Sequence, residues 1–157
     1  MTIAAVAASV AYSHPSIGLE RRGILGTGLL AVSYLVLPVL LAGRVVAPVV
    51  LAALVAGGTA TLLYKDVKDE AGDRLLGKRT PLVRWGIRRV DGVATALGVS
   101  TLSLGVLAAG WGWWAAALLG GLVAQLRMAA TNVHSGRLLT AYRLLAVIGL
   151  IGMASAG

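Results

Sequence analysis

The sequence predicts an all-α integral membrane protein, and three observations carry that reading. The first is composition: of 157 residues, 58% are hydrophobic and only 13% charged, with mean hydropathy +0.86. A soluble domain carries about 25% charged residues and cannot leave this much apolar surface in water. The second is that the apolar residues fall into runs of membrane-crossing length. The third is that the basic residues gather in alternate loops. The strict alternation of a membrane β-barrel is missing. One membrane domain over residues 1–157 accommodates the whole.

The elements follow in order. Residues 24–42, 45–64, 90–109, 113–131 and 139–157 are Ala-, Leu-, Val- and Gly-rich. Each comes close to the roughly 20 residues that ~30 Å of hydrocarbon requires at 1.5 Å per residue. Residues 1–12 are apolar but too short to span. The expected architecture is therefore a bundle of five full transmembrane helices plus a truncated N-terminal one. With Tyr12 on the basic side, Met1 would start inside the hydrocarbon, so a longer preceding helix is the economical reading; a re-entrant or surface-lying segment is the less economical one. The N-terminus lacks the basic segment of a signal peptide. Pro38 and Pro48 are expected to kink or start helices. The pairs Gly26 and Gly28, Gly57 and Gly58, Gly120 and Gly121, and Gly149 and Gly152 allow close helix approach.

Charge sets the orientation. Net charge is +8, which in a soluble protein would suggest nucleic acid. In a membrane chain it reflects cytoplasmic loops and anionic headgroups, and nucleic acid is not an expected partner. Of the 14 Lys and Arg residues, 13 lie on one side, with Arg44 the exception. That side is expected to face the cytoplasm of a multi-pass plasma-membrane protein. Trp111, Trp113 and Trp114 mark the opposite interface, and the C-terminus falls outside. There are no cysteines, so neither disulfides nor thiol chemistry enter.

One segment breaks the apolar pattern: Tyr64–Thr80, YKDVKDEAGDRLLGKRT. Asp66, Asp69 and Asp73 sit at i, i+3 and i+7, a spacing that on a helix gathers all three, with Glu70, on one face. Like charges so placed repel, and a divalent cation converts that repulsion into coordination. Mg²⁺ takes oxygen ligands, keeps waters, and is commonly held by one or two carboxylates plus substrate phosphates. Lys65, Lys68, Arg74, Lys78 and Arg79 surround the acids, so a metal and an anion fit together. At a membrane surface this suits a diphosphate with a lipid-soluble tail, Lys78 and Arg79 adding charge-assisted hydrogen bonds.

Tyr64–Thr80 resembles the second aspartate-rich motif of the UbiA superfamily of intramembrane prenyltransferases. The matching elements are Gly72-Asp73-Arg74 and Gly77-Lys78-Arg79-Thr80. Tyr12-Ser13-His14-Pro15, followed by Arg21-Arg22-Gly23, resembles a loop earlier in that family's second half. The resemblance implies Mg²⁺ bound by Asp66, Asp69 and Asp73, which are then the catalytic acids. It places Lys65, Lys78 and Arg79 near the diphosphate, with Tyr12, Ser13 and Arg21 lining the same cytoplasmic cap. The implied reaction transfers a prenyl group from a prenyl diphosphate to an aromatic, quinone-precursor or lipid acceptor. Two departures stand out. Ala71 precedes Gly72-Asp73 where members commonly carry an acid, with Glu70 one place earlier. The family's first motif, Asn-Asp-x-x-Asp-x-x-x-Asp, is absent, since the chain contains no Asn-Asp pair. The resemblance thus covers the C-terminal part of such an enzyme.

Three versions follow: a partial chain of a full enzyme, one half of a split enzyme whose partner chain carries the first motif, or a non-catalytic half-fold. A transporter is weaker, because no charged residue sits mid-helix in the five long runs. Bland readings stand beside the other polar residues. Arg84, Arg88 and Arg89 read as positive-inside anchors, Asp91 as a helix-start charge or ion pair, and His14 and His134 as ordinary loop histidines. Gln125 and Asn132 either line a cavity or bond between helices.

Overall fold

The computed structural model describes residues 23–43, 45–134 and 136–156. Among them all regular structure is helical, as the composition requires. Helix α1 spans Ile24–Leu41, α2 Pro48–Leu62, α3 Glu70–Leu75, α4 Pro81–Trp85, α5 Ile87–Ala109, α6 Trp113–Thr131 and α7 Gly136–Ala156. Helices α1, α5, α6 and α7 are long and apolar enough to cross a membrane.

The expected helix over 45–64 is shorter than foreseen. Pro48 occupies its first turn, where the missing N–H costs nothing, and Leu63 onward turns away. Its 15 residues extend about 22 Å at 1.5 Å each, less than the ~30 Å of hydrocarbon. Among the described residues four helices are thus of full spanning length, and the expected fifth falls short of it. Conversely, α5 and α7 begin about one turn earlier than the apolar runs, at Ile87 and Gly136, so Arg88, Arg89 and Arg137 ride on first helical turns. Helix α1 carries a widened π segment at Val32–Val36, just before Pro38. Proline removes one N–H donor and crowds the carbonyl four residues back, and the wide turn absorbs that mismatch.

Helices α2, α5, α6 and α7 form a ring in which each contacts its neighbours, while α1 packs on the outer side of α2. The contact between α1 and α2 depends on Gly58: a Cβ there would lie 2.5 Å from Leu35 Cδ1 and 2.9 Å from Ala31 Cβ. One buried cluster, with Trp114, Leu54, Leu150 and Met153, fills the ring near the α5–α6 turn. Trp111 and Trp113 are exposed, as interface anchors require, but Trp114 is 1% exposed and belongs to the core. The other cluster, with Tyr64, Leu82, Val90, Met128 and Tyr142, closes the opposite end. That end carries the 63–80 segment and most of the described basic residues.

Candidate anion and metal site

The acidic segment does not continue α2 as a helix. Leu63–Asp69 forms overlapping turns, tied by Lys65 N–H to Leu62 O (3.1 Å), Val67 N–H to Tyr64 O (3.4 Å) and Asp69 N–H to Asp66 O (3.0 Å). Helix α3 starts only at Glu70 and lasts six residues. Gly77, with φ 66°, ends it in the left-handed conformation that glycine adopts without penalty. Gly77 N–H donates to Arg74 O (3.2 Å) and Lys78 N–H to Asp73 O (2.9 Å), the paired closure of a Schellman motif. That closure folds Lys78 back over α3, and its Nζ reaches Asp73 Oδ1 at 2.7 Å. Thr80 then caps α4, its hydroxyl accepting from Val83 N–H at 3.4 Å.

These turns surround a cavity of about 620 Å³ lined by Lys65, Asp66, Asp73, Lys78, Arg79 and Thr80, together with Thr27 of α1 and the backbone around Gly77. The volume lies within the range of small-molecule sites. Asp66 and Asp73 both face it. Asp73 is almost fully buried beside the half-exposed Lys78, and Lys65 Nζ lies 3.9 Å from Asp66 Oδ1. Partial burial pushes the Asp66 carboxyl above its ordinary range; Lys65 and Lys78 pull it down, Asp73 and Asp69 push it up, and the upward influences win.

The helix-face expectation therefore needs correcting. The turns at 63–69 break the i, i+3, i+7 register, and Asp69 is exposed and does not line the cavity. Glu70 pairs with Arg74 at 2.7 Å instead of facing the other acids. Among the described residues no group of three or more His, Asp or Glu converges closely enough to hold a metal. What remains is a pair of carboxylates opening on a space lined by cations. Mg²⁺ fits such a donor set, because one or two carboxylates suffice when phosphate oxygens and water complete the shell. Tyr12, Ser13 and Arg21 lie outside the described residues. Thr27, a buried hydroxyl on α1, lines the same cavity and carried no signal in the sequence.

A second polar cluster stands directly behind this site. The Tyr64 hydroxyl donates to Asp91 Oδ1 at 2.7 Å. His134 Nε2 lies 2.9 Å and 3.0 Å from the two Asp91 oxygens; a carboxylate only accepts, so Nε2 carries the proton. The His134 ring stacks on Tyr64, and Tyr142 meets the same ring edge-on. Arg143 Nη2 donates to the Tyr64 carbonyl at 2.8 Å. Burial, then the bond to Asp91, pushes the Tyr64 hydroxyl above its ordinary value. Tyr64 is thus held by side chain and backbone, and the next two residues are Lys65 and Asp66. The cluster fixes where the cavity wall begins.

A family model described as the UbiA prenyltransferase family matches residues 1–156. The chain belongs to the UbiA prenyltransferase family. No curated protein and no solved structure matches it. UbiA membership supports a prenyltransferase-type function in general, in keeping with the apolar helices of a multi-pass membrane protein. UbiA enzymes are generally metal-dependent.

Proposed function

We propose that this UbiA chain is a Mg²⁺-dependent prenyltransferase, present as a partial enzyme. It takes a prenyl diphosphate and a hydrophobic acceptor (an aromatic ring, a quinone precursor or a lipid) at the cytoplasmic face of the plasma membrane. The observation that carries the reading is the convergence of Asp66 and Asp73 with Lys65, Lys78 and Arg79 on one cavity. Asp66 and Asp73, which line the cavity, would hold the metal. Bound there, Mg²⁺ supplies positive charge that stabilises the departing diphosphate. Lys65, Lys78 and Arg79 bind the diphosphate oxygens, Arg79 through its planar fork and the lysines as point charges. The apolar tail extends into the helical region, where exclusion of water protects the allylic cation left by ionisation.

Binding of inorganic diphosphate to the detergent-solubilised chain, with Mg²⁺ and with EDTA, tests the assignment. Loss of one charge-assisted contact worth about 1.5–3 kcal/mol lowers affinity roughly 10- to 100-fold. Asp66→Asn and Asp73→Asn are expected to show that loss, and Asp69→Asn much less. Equal binding by wild type and all three variants removes the metal assignment.

A second reading rests on the missing Asn-Asp element and on the two-carboxylate wall: the chain is half of a split enzyme. A partner bearing the first motif would supply the facing carboxylates. Co-expression with such a partner would then raise Mg²⁺ affinity.

A further inference from the structure

Two residues of the diphosphate site, a metal ligand and an anion binder, are bound to each other. Lys78 Nζ lies 2.7 Å from Asp73 Oδ1, and the side chains are 58% and 6% exposed respectively. The turn builds this pair as well as the side chains do. Lys78 N–H donates to Asp73 O at 2.9 Å across Gly77, whose φ is 66°. Lys65 and Asp66, neighbours in the chain, make a looser contact at 3.9 Å. Arg79 lines the same cavity without a carboxylate partner among the described residues.

A buried carboxylate needs a counterion, and Lys78 supplies it to Asp73. Mg²⁺ takes carboxylate oxygen at ~2.1 Å, so on Asp73 Oδ1 it would stand less than about 5 Å from the ammonium. Cations that close repel. Coordination of Mg²⁺ by Asp73 therefore requires Lys78 to leave. Its half-exposed, flexible stem allows that, and a diphosphate oxygen receives an ammonium as well as a carboxylate does. On the diphosphate site proposed above, we infer that the Lys78–Asp73 pair is a latch which diphosphate opens. Lys78 transfers from Asp73 Oδ1 to a diphosphate oxygen and so frees Asp73 for the metal. Mg²⁺ alone then binds weakly. Diphosphate strengthens its binding, and by linkage Mg²⁺ strengthens that of diphosphate by the same factor. The latch keeps Asp73 paired and withholds it from Mg²⁺ until the diphosphate arrives.

Lys78→Met keeps the apolar stem and the backbone bond to Asp73 but removes the ammonium. Lys65→Met and Arg79→Met take the same charge from the same cavity and leave the latch in place. The probe is Mg²⁺ without diphosphate, followed by titration calorimetry and by thermal midpoints in detergent with Mg²⁺ and with EDTA. Lys78→Met is expected to lower the midpoint in EDTA, because it strands the buried Asp73, and Mg²⁺ is expected to restore it. Its Mg²⁺ affinity should exceed that of wild type roughly tenfold, the lower end for a charge-assisted bond with one half-exposed partner. The two control variants should gain less, and Lys78→Met should bind diphosphate in EDTA more weakly than wild type. A Mg²⁺ gain no larger than in the controls means a general charge effect and overturns the latch; unchanged Mg²⁺ affinity overturns it equally. Mg²⁺-dependent diphosphate binding by wild type is measured alongside. Where it is present, those results reject the latch alone; its absence rejects the diphosphate site and the latch together. Lys78→Gln replaces Lys78→Met should the latter fail to fold.

Discussion

Tyr64→Phe isolates one hydrogen bond from the packing around it. Tyr64 is 0% exposed, and its hydroxyl donates to Asp91 Oδ1 at 2.7 Å. Phenylalanine keeps the ring contacts to His134 and Tyr142, at centroid distances of 6.0 Å and 5.5 Å, so no cavity beyond the lost oxygen forms. A hydrogen bond to a charged acceptor contributes about 1.5–3 kcal/mol. Asp91 retains His134, so its carboxylate is not orphaned and the lower part of that range applies, about 1.5–2 kcal/mol. That is a roughly 10- to 30-fold change in the folded-to-unfolded ratio. Reversible unfolding of the wild type and variant in mixed detergent–SDS micelles measures it. A difference below about 0.5 kcal/mol, the range of a neutral surface change, would refute the assignment of Tyr64, Asp91 and His134 as an energetic brace. Because Lys65 and Asp66 follow Tyr64 directly, the variant is also expected to weaken Mg²⁺-dependent diphosphate binding, though less than Asp66→Asn does.

Two further expectations follow from the geometry. The Asp66 carboxyl titrates above its ordinary range because it is partly buried. A raised folded-state value means a stability contribution fully present below the unfolded value of about 3.9 and lost as pH rises through the folded value. Without metal, wild type is therefore less stable than Asp66→Asn near pH 7, and the gap narrows towards pH 4; a gap independent of pH, read from thermal midpoints, contradicts this. Gly58→Ala drives a methyl group into Leu35 and Ala31, and overpacking of this kind costs about 1–3 kcal/mol. Its unfolding midpoint falls below that of wild type, whereas a rise would show that α1 is not seated on α2 through Gly58.

The helices were legible because lipid imposes a simple rule on length and polarity. Runs at 24–42 and 113–131 predict α1 and α6 closely, since their ends coincide with a loop or with Trp113. The rule misplaces the starts of α5 and α7, because Arg88, Arg89 and Arg137 read as loop charges although long cationic side chains reach water from a first helical turn. It lengthens α2, because apolar Leu63 and Tyr64 continue the hydropathy signal after the helix has ended. The acidic segment shows the limit of spacing arguments: i, i+3, i+7 gathers side chains only if the helix is continuous, and the turns at 63–69 divide Asp69 from Asp66 and Asp73. Gly77 and Thr80, by contrast, carry legible turn and cap signals. Asp91 and His134 could not be paired from sequence, being 43 residues apart with no spacing that implies contact. Trp114 shows that three tryptophans near an interface need not all face it.

The most direct test of the central claim is binding of a prenyl diphosphate to the purified, detergent-solubilised chain, with Mg²⁺ and with EDTA. Binding that requires Mg²⁺ and is competed by inorganic diphosphate is the predicted result. Equal binding in EDTA, or none in a sample shown to be folded, would contradict a metal-assisted diphosphate site formed by Asp66, Asp73, Lys65, Lys78 and Arg79.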